Sequence, residues 1–144
     1  MAVHSARLLT DAIATALTDG GLLVGVGTKP AGGGWAGTQG ASTFAAFTIV
    51  YPSPGGYSDG TVATPFDDVN PDYIISSFGS TVDQAQWGDD KVRATLTAAG
   101  AVTVSGRSVM LVIPDVDGGV IRDDDVTPPI FHAPTRWRVM TTAA

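Results

Sequence analysis

The sequence predicts an α+β fold in which two helices pack on one face of an antiparallel or mixed β-sheet, in two layers. Two segments, residues 5–18 and 82–99, carry apolar residues at helical spacing, whereas the other apolar segments alternate or are rich in β-branched residues, as strands are. The elements follow the order helix, two strands, strand and helix, then two or three strands. A parallel α/β sheet would need more helices, so we expect one two-layer domain over residues 1–144.

The first helix is predicted for Ser5–Thr18. Ser5 is a suitable N-cap, and Asp19-Gly20-Gly21 is a suitable end. A stripe of apolar residues at helical spacing supports the prediction, and Thr10 lies outside it. The stripe consists of Leu8, Leu9, Ala12, Ile13, Ala16 and Leu17.

The second helix follows directly on a strand, Asp72–Gly79, and we expect the rest of the chain to pack on this unit. Alternation within the strand predicts that its side chains divide between the two faces of the sheet. One set is Tyr73, Ile75 and Ser77, and the other is Ile74, Ser76 and Phe78.

Capping residues mark both ends of the second helix. The Thr81 hydroxyl is predicted to cap its start, while the Gln84 side chain reaches back to the amide of Thr81. Gly100 is predicted to end it in a left-handed conformation. The apolar stripe is narrow and mostly small, which predicts a close approach of helix and sheet. It consists of Ala85, Gly88, Val92, Leu96 and Ala99.

Strands and loops are predicted between the two helices. Leu22–Thr28 is a short strand, and Phe44–Tyr51 is apolar on both faces, which predicts a central position in the sheet. Residues 29–43 form a polar, glycine-rich loop, and residues 52–66 form a second long loop. Such segments bury too little apolar surface to order themselves, so we expect both loops to be mobile.

Further strands are predicted after the second helix. Ser108–Ile113 is a strand, Asp117-Gly118-Gly119 predicts a hairpin, and Arg122–Pro129 is an acidic turn. Ile130–Thr141 closes the sheet. Its side chains alternate, with Trp137 and Val139 on one face and Arg136, Arg138 and Met140 on the other.

Composition argues against several classes of partner. The net charge is −6 and every acidic residue is Asp. Binding to a phosphate backbone needs clustered Lys and Arg, so nucleic-acid recognition is not expected. There are no cysteines, which excludes disulfides and cysteine–zinc sites. No apolar run approaches the roughly 18 residues of a membrane span, and Asp11 interrupts any signal peptide, so we expect no membrane association and no export.

No catalytic residue, cofactor or metal site is predicted. Gly25–Lys29 resembles a phosphate loop, but Pro30 and a glycine run follow where a helix is required. His132 lies in a strand, without a nucleophile motif elsewhere. An acidic cluster has two interpretations, a calcium site or solvated turns, and the chain has no Glu to close an EF-hand. The cluster is Asp115, Asp117, Asp123, Asp124 and Asp125.

Two tryptophans are candidates for contacts with a partner. Trp35 lies in the loop of residues 29–43, where it either anchors a partner or folds back on its own domain. Trp87 lies beside the stripe of the second helix, either at the edge of the core or in a contact between subunits. The sequence leaves both pairs of interpretations open.

Three segments together resemble one family of virus proteins. They are IVYPSPGGYSDGTVATPFDD, YIISSFGSTVDQAQWGDDKVRATL and IRDDDVTPPIFHAPTRWRVMTT. They resemble the tail-terminator proteins of long-tailed bacteriophages (siphoviruses), especially phages of actinobacteria. The resemblance extends from about Phe44 to the C-terminus, with the first helix also in the expected place. Its most specific part is the S-x-G-x-T-x-x-Q-A-Q-W pattern of residues 77–87, followed by Lys91 and Arg93.

The resemblance implies a structural virion protein, not an enzyme. Members of the family form a hexameric ring that caps the tail tube, stops its polymerisation and joins it to the head connector. The implied partners are other copies of the chain, the major tail tube protein and the connector or stopper protein. Genomic DNA would pass through the lumen without specific binding. The implied location is the tail–neck junction of the virion, after synthesis in the host cytoplasm.

Other functions stay open beside this one. A different neck protein, such as a stopper or head-completion protein, would share the acidic, loop-rich character. A small ligand-binding domain or enzyme would need a concave site with converging polar groups, which the sequence does not indicate.

Charged residues near the C-terminus give one further expectation. Arg136 and Arg138 lie two apart on a strand and so project from the same face. Arginine binds carboxylates through two parallel hydrogen bonds, which fixes register at interfaces. We therefore expect the acidic loop Asp123-Asp124-Asp125 of one subunit to meet a patch that contains these arginines, on a neighbour or a partner ring. The alternative is that all five are ordinary solvated charges.

Overall fold

The structure is a computed structural model that describes residues 5–37, 43–52, 56–57 and 68–143. It confirms the predicted α+β fold, because two helices, α1 (Ala6–Asp19) and α2 (Val82–Leu96), pack on one face of a mixed β-sheet. The strands in chain order are β1 (Val24–Val26), β2 (Gly34–Trp35), β3 (Phe44–Ala45), β4 (Phe47–Pro52), β5 (Gly56–Tyr57), β6 (Asp68–Asn70), β7 (Asp72–Gly79), β8 (Arg107–Asp117), β9 (Ile121–Asp123) and β10 (Ile130–Ala143).

One sheet contains eight of the described strands. Its order is β1-β4-β7-β10-β6-β5, while β8 and β9 pair with the opposite edge of β10 from β7. β1 runs parallel to β4, and the other pairs are antiparallel, so the sheet is mixed. β2 and β3 form a separate two-stranded ladder. β10 therefore holds the C-terminal half of the domain together.

The core lies between the helices and the sheet face that carries Tyr73, Ile75 and Ser77. All three side chains are buried, so the predicted alternation of β7 is confirmed. The Tyr73 hydroxyl forms a hydrogen bond of 3.0 Å with the Thr10 hydroxyl of α1. Burial raises the pKa of Tyr73, and this hydrogen bond offsets only part of the effect. The largest core side chains include Leu9, Ile13, Leu17, Val50, Tyr73, Ile75, Val92, Leu96, Trp137 and Val139.

The buried face of α1 is shifted from the prediction. Ser5 caps the helix as expected, accepting a hydrogen bond from the Leu8 N–H at 3.3 Å. Leu8, however, is 50% exposed, and Thr10 is buried in its place. Thr10 tolerates burial because its hydroxyl has two partners, the Ala6 carbonyl and the Tyr73 hydroxyl. Four residues of the predicted stripe are buried, namely Leu9, Ile13, Ala16 and Leu17.

The start of α2 is capped as predicted, with one difference. The Thr81 hydroxyl accepts from the Gln84 N–H at 3.2 Å. The Gln84 side-chain oxygen, however, accepts from the Ser80 N–H at 2.8 Å, not from that of Thr81. The shift of one residue arises because the same amide group also donates to the Phe44 carbonyl, at 3.2 Å. Gln84 thereby ties the start of α2 to β3.

The predicted end of α2 is wrong. The helix ends at Leu96, where Thr97 is the C-cap, and Ala99 is exposed beyond it. The hydroxyl and the N–H of Thr97 both donate to the Arg93 carbonyl, at 2.6 and 3.1 Å, which closes the last turn early. Gly100 has the expected positive φ of 72°, but it lies in the turn after the helix.

The predicted close approach of α2 to the sheet is confirmed at Gly88. Ala85, Gly88, Val92 and Leu96 are its buried residues. A Cβ atom at position 88 would lie 2.8 Å from the Cβ of Ser77, closer than carbon atoms tolerate. Glycine therefore sets the distance between helix and sheet at this crossing.

The predicted hairpin at Asp117-Gly118-Gly119 is wrong. β8 and β9 do not pair with each other; both pair with β10, at Thr135–Ala143 and at Ile130–His132 respectively. The Gly118 N–H donates to the Pro134 carbonyl at 2.9 Å, so the chain bulges and then continues along β10. The hairpin instead joins β9 to β10 through the acidic turn, where Asp123 faces Ile130.

The predicted strand Phe44–Tyr51 is divided at Ala46. Phe44–Ala45 pairs with Gly34–Trp35, and Phe47–Pro52 lies between β1 and β7, which confirms its central position. Part of the predicted loop of residues 29–43 is thus a strand. Its mobility stays a prediction, because residues 38–42 lie outside the described residues, as do residues 53–55 and 58–67 of the second loop.

Candidate protein-interaction surfaces

The sheet face that looks away from the helices has an exposed half. Tyr51, Ile74 and Arg136 are register partners on β4, β7 and β10, so they form one row across three strands. Tyr51 and Ile74 are 36% and 39% exposed. Asp72 and Arg138 pair in the next row. We call these five residues the open sheet patch.

Charges of both signs meet in the open sheet patch. The Arg138 Nε lies 3.2 Å from one oxygen of Asp72, and the Arg136 Nε lies 4.0 Å from the other. Both arginines project from the same face, as predicted, and their side chains remain 44% and 39% exposed. The patch therefore combines an apolar centre with guanidinium groups that a second molecule can reach.

The other half of this face is aromatic and covered. The rings of Phe47 and Phe78 stack at 4.8 Å, and that of Phe78 stacks on His132 at 5.4 Å. The β2–β3 ladder lies beside this stack, where Trp35 meets Phe44 edge to face at 5.0 Å. Trp35 thus packs on its own domain. A shallow cleft of about 240 Å³ remains open beside Trp35, next to Val126 and Ile130.

The outward side of α2 carries a second exposed surface. Trp87 is 48% exposed and Val82 is 44% exposed. Asp83 and Asp90 flank Trp87 along the helix and are also exposed. About half of the Trp87 side chain is thus accessible, and its ring contacts Lys91, whose Nζ lies 5.8 Å from the ring centre. We call Val82, Asp83, Trp87 and Asp90 the helix patch.

The predicted acidic loop lies at the β9–β10 hairpin. Asp123 accepts a hydrogen bond from the Asp125 N–H at 3.0 Å, which shapes the turn. The Asp124 carboxylate pairs with Arg122, and its side chain is 70% exposed. Among the described residues, neither carboxylate pairs with a side chain of α1 or α2. The loop is thus a protruding acidic tip.

A polar network that sequence analysis missed joins α2 to the sheet. Arg93 binds Asp89 at 3.0 Å and Asp117 at 2.8 Å, and Asp89 also accepts from the Thr135 hydroxyl. Partial burial lowers the pKa of Arg93, but the hydrogen bond and the charges of Asp89, Asp117 and Asp90 raise it overall. The spacing of Asp89 and Arg93, four residues apart on a predicted helix, could have indicated an ion pair between them.

Two of the side chains considered for chemistry have structural partners. The Lys29 ammonium of the phosphate-loop-like segment donates to the Gly33 carbonyl at 2.8 Å. Asp117 of the acidic cluster pairs with Arg93. Across the residues that the structure describes, no three His, Asp or Glu side chains converge as metal ligands. The described helices include none long and apolar enough to cross a membrane.

Comparison with solved structures gives a similarity in fold. No family model matches the chain, and no curated protein matches it. Its fold is similar to that of a chain in the virion of a native gene transfer agent particle, with a TM-score of 0.62 and 16% identity. The alignment covers 96% of this chain and 97% of that one. At this identity the similarity shows a shared fold over the whole domain.

Proposed function

We propose that the chain is a structural protein of a bacteriophage virion, a tail terminator that assembles into a hexameric ring at the end of the tail tube. The ring stops polymerisation of the tube and joins it to the head. The proposed partners are other copies of the chain, the major tail tube protein and the head–tail connector or stopper protein. No catalytic role is part of the proposal.

The observation that carries this proposal is the fold. The match to a virion chain includes 96% of this chain and 97% of the other, so it concerns a complete domain rather than a shared piece. The pattern of residues 77–87 supports the same class independently. It spans the end of β7, the Thr81 cap and the first turns of α2, where Ser77 and Gly88 bring helix and sheet together.

Ring formation is compatible with the surfaces of the domain. A closed ring of identical subunits needs two different surfaces on each subunit, because one contacts the next subunit and the other the previous one. The open sheet patch and the helix patch lie on opposite layers of the fold. The net charge of −6 also suits a ring through which DNA slides, since phosphate groups are held by clustered cations.

Individual residues are proposed for the contacts in the virion. Trp87 and the pair Arg136 and Arg138 are proposed for contacts between subunits. The acidic tip of Asp123, Asp124 and Asp125 is proposed to bind an arginine-containing patch on a partner ring. Trp35 borders an open cleft and is proposed to contact a partner through it.

A tube-growth experiment tests the proposal. Purified tail tube protein from the same virus is allowed to polymerise with and without this chain, and tube lengths are measured by negative-stain microscopy. A terminator halts growth at a low ratio of added chain to tube protein and caps one end of each tube. An unrelated acidic protein of similar size is the control. Tubes that grow unchanged, with the chain bound to connector-bearing heads only, would identify a stopper or head-completion protein instead.

A further inference from the structure

We propose that the ring contact joins the helix patch of one copy to the open sheet patch of the next. The inference rests on the proposed ring and goes further by naming the two surfaces and the residues that meet. It commits to a second copy of this chain as the occupant of the open sheet patch. The reasons are the positions, dimensions and charges of the two patches.

The positions of the two patches suit head-to-tail assembly. α2 covers the inner face of the sheet with Gly88 and Val92, so Trp87 and its neighbours point out of the molecule on that side. Ile74 points out on the other side, since it alternates with the buried Ile75. A contact between opposite layers of successive copies uses a different surface at each end, as a ring requires.

The dimensions of the patches match. Asp83 and Asp90 are seven residues apart on α2, which places them about 10 Å apart along the helix axis. The row Tyr51–Ile74–Arg136 crosses three strands and so also spans about 10 Å. With Trp87 over Ile74, one aspartate lies near the arginines of β10 and the other lies near Tyr51.

The chemistry of the patches is complementary. Trp87 supplies a large exposed aromatic side chain, the type that most often anchors protein interfaces, and Tyr51 and Ile74 supply an apolar surface for it. Asp83 and Asp90 supply carboxylates, with the Lys91 ammonium beside Trp87, and Arg136 and Arg138 supply guanidinium groups, with Asp72 between them. The helix surface thus has one negative charge in excess, and the open sheet patch has one positive charge in excess. The side chains of Arg136 and Arg138 are 44% and 39% exposed, so a carboxylate of a second copy can approach them while they keep their partners within their own subunit. The apolar residues of the two patches meet each other, and the arginines lie to one side of them, on β10.

Cross-linking tests which surfaces meet. Because the chain has no cysteine, only the introduced thiols can react. A Val82→Cys, Ile74→Cys double variant carries one thiol in each patch, and Cys is a smaller, weakly polar replacement at two exposed positions. A short bis-maleimide should link the subunits into a ladder that ends at the hexamer on a denaturing gel. A disulfide would be too short to bridge a helix and a facing sheet. Each single variant should give no cross-linked dimer, because in a heterologous contact neither residue meets its own copy.

The matched control moves one thiol to a different surface. Ile121 on β9 is 45% exposed, the same as Val82 within a percentage point, but lies outside both patches. An Ile121→Cys, Ile74→Cys variant should give no ladder. Normal rings that cross-link through residues 121 and 74, and not through 82 and 74, would overturn the inference while leaving the ring intact.

A charge exchange tests which carboxylates the arginines meet. Arg136→Asp with Arg138→Asp should weaken assembly by at least about tenfold in the concentration required. Adding Asp83→Arg with Asp90→Arg should restore most of it, whereas Asp123→Arg with Asp124→Arg should not. Rescue by the loop exchange alone would contradict the helix patch and favour the acidic tip. A wild-type chain that forms no ring, with or without tubes, would refute the proposed function itself.

Discussion

Single residues set the distance between the two layers of this domain. Gly88 and Ser77 face each other where α2 crosses β7, and neither leaves room for a larger side chain. Beside them, Thr10 and Tyr73 place two hydroxyl groups inside an otherwise apolar core and satisfy each other. The interior is therefore specified by a few small and polar groups as well as by its large apolar ones.

Replacing Gly88 by Leu should destabilise the fold by roughly 1–3 kcal/mol, because overpacking forces helix and sheet apart. Chemical denaturation of wild type and variant measures the difference. Ala94→Leu is the control, since Ala94 is exposed on the same helix and its replacement should change little. An unchanged midpoint for Gly88→Leu would mean that this face of α2 does not pack on β7.

Tyr73 should make the stability of the fold fall at high pH. Its pKa is raised in the folded state, so the folded protein holds the phenolic proton where the unfolded chain releases it. This contribution is complete below the ordinary pKa of 10.0 and is lost as the pH rises through the raised value. In Tyr73→Phe the melting temperature should fall less steeply above about pH 10 than in wild type. Parallel slopes for the two proteins would contradict the assignment.

At the scale of elements, the strands and helices differ in how directly the sequence specifies them. The alternation in Asp72–Gly79 and Ile130–Thr141 predicted the faces of β7 and β10, because both strands have one face in the core. The Thr81 cap was predictable from local hydrogen bonding alone. The direction of each side chain in these elements follows from the local pattern, although the strands also need partners far along the chain.

Other features depend on partners far along the chain. Asp117-Gly118-Gly119 indicated that β8 ends there, but not where the chain goes next. That path is decided by the pairing of both β8 and β9 with β10. The division at Ala46 likewise depends on Phe44 pairing with Trp35. The open sheet patch was only partly predictable, since Arg136 could be placed on a face but its neighbours Tyr51 and Ile74 required the strand order. Single-sequence patterns carry no information on such register.

The β2–β3 ladder should be a local element whose loss spares the rest of the fold. Trp35 contacts Phe44 at 5.0 Å, outside the main core between helices and sheet. Trp35→Ala should therefore weaken ring assembly while leaving the melting temperature and circular dichroism close to wild type. Assembly is measured by light scattering against concentration. A melting temperature that falls in proportion to assembly would instead make Trp35 a stability residue of its own domain.

At the scale of the whole molecule, two exposed patches on opposite layers and a net negative charge suit a subunit of a ring around DNA. Six-fold closure at the head-proximal end of the tail is the central claim. Electron microscopy of tail tubes capped with the purified chain measures it most directly, by averaging end views. We expect one ring of six subunits at the head-proximal end. A ring of another order there, or no copy of the chain at that end, would contradict the claim.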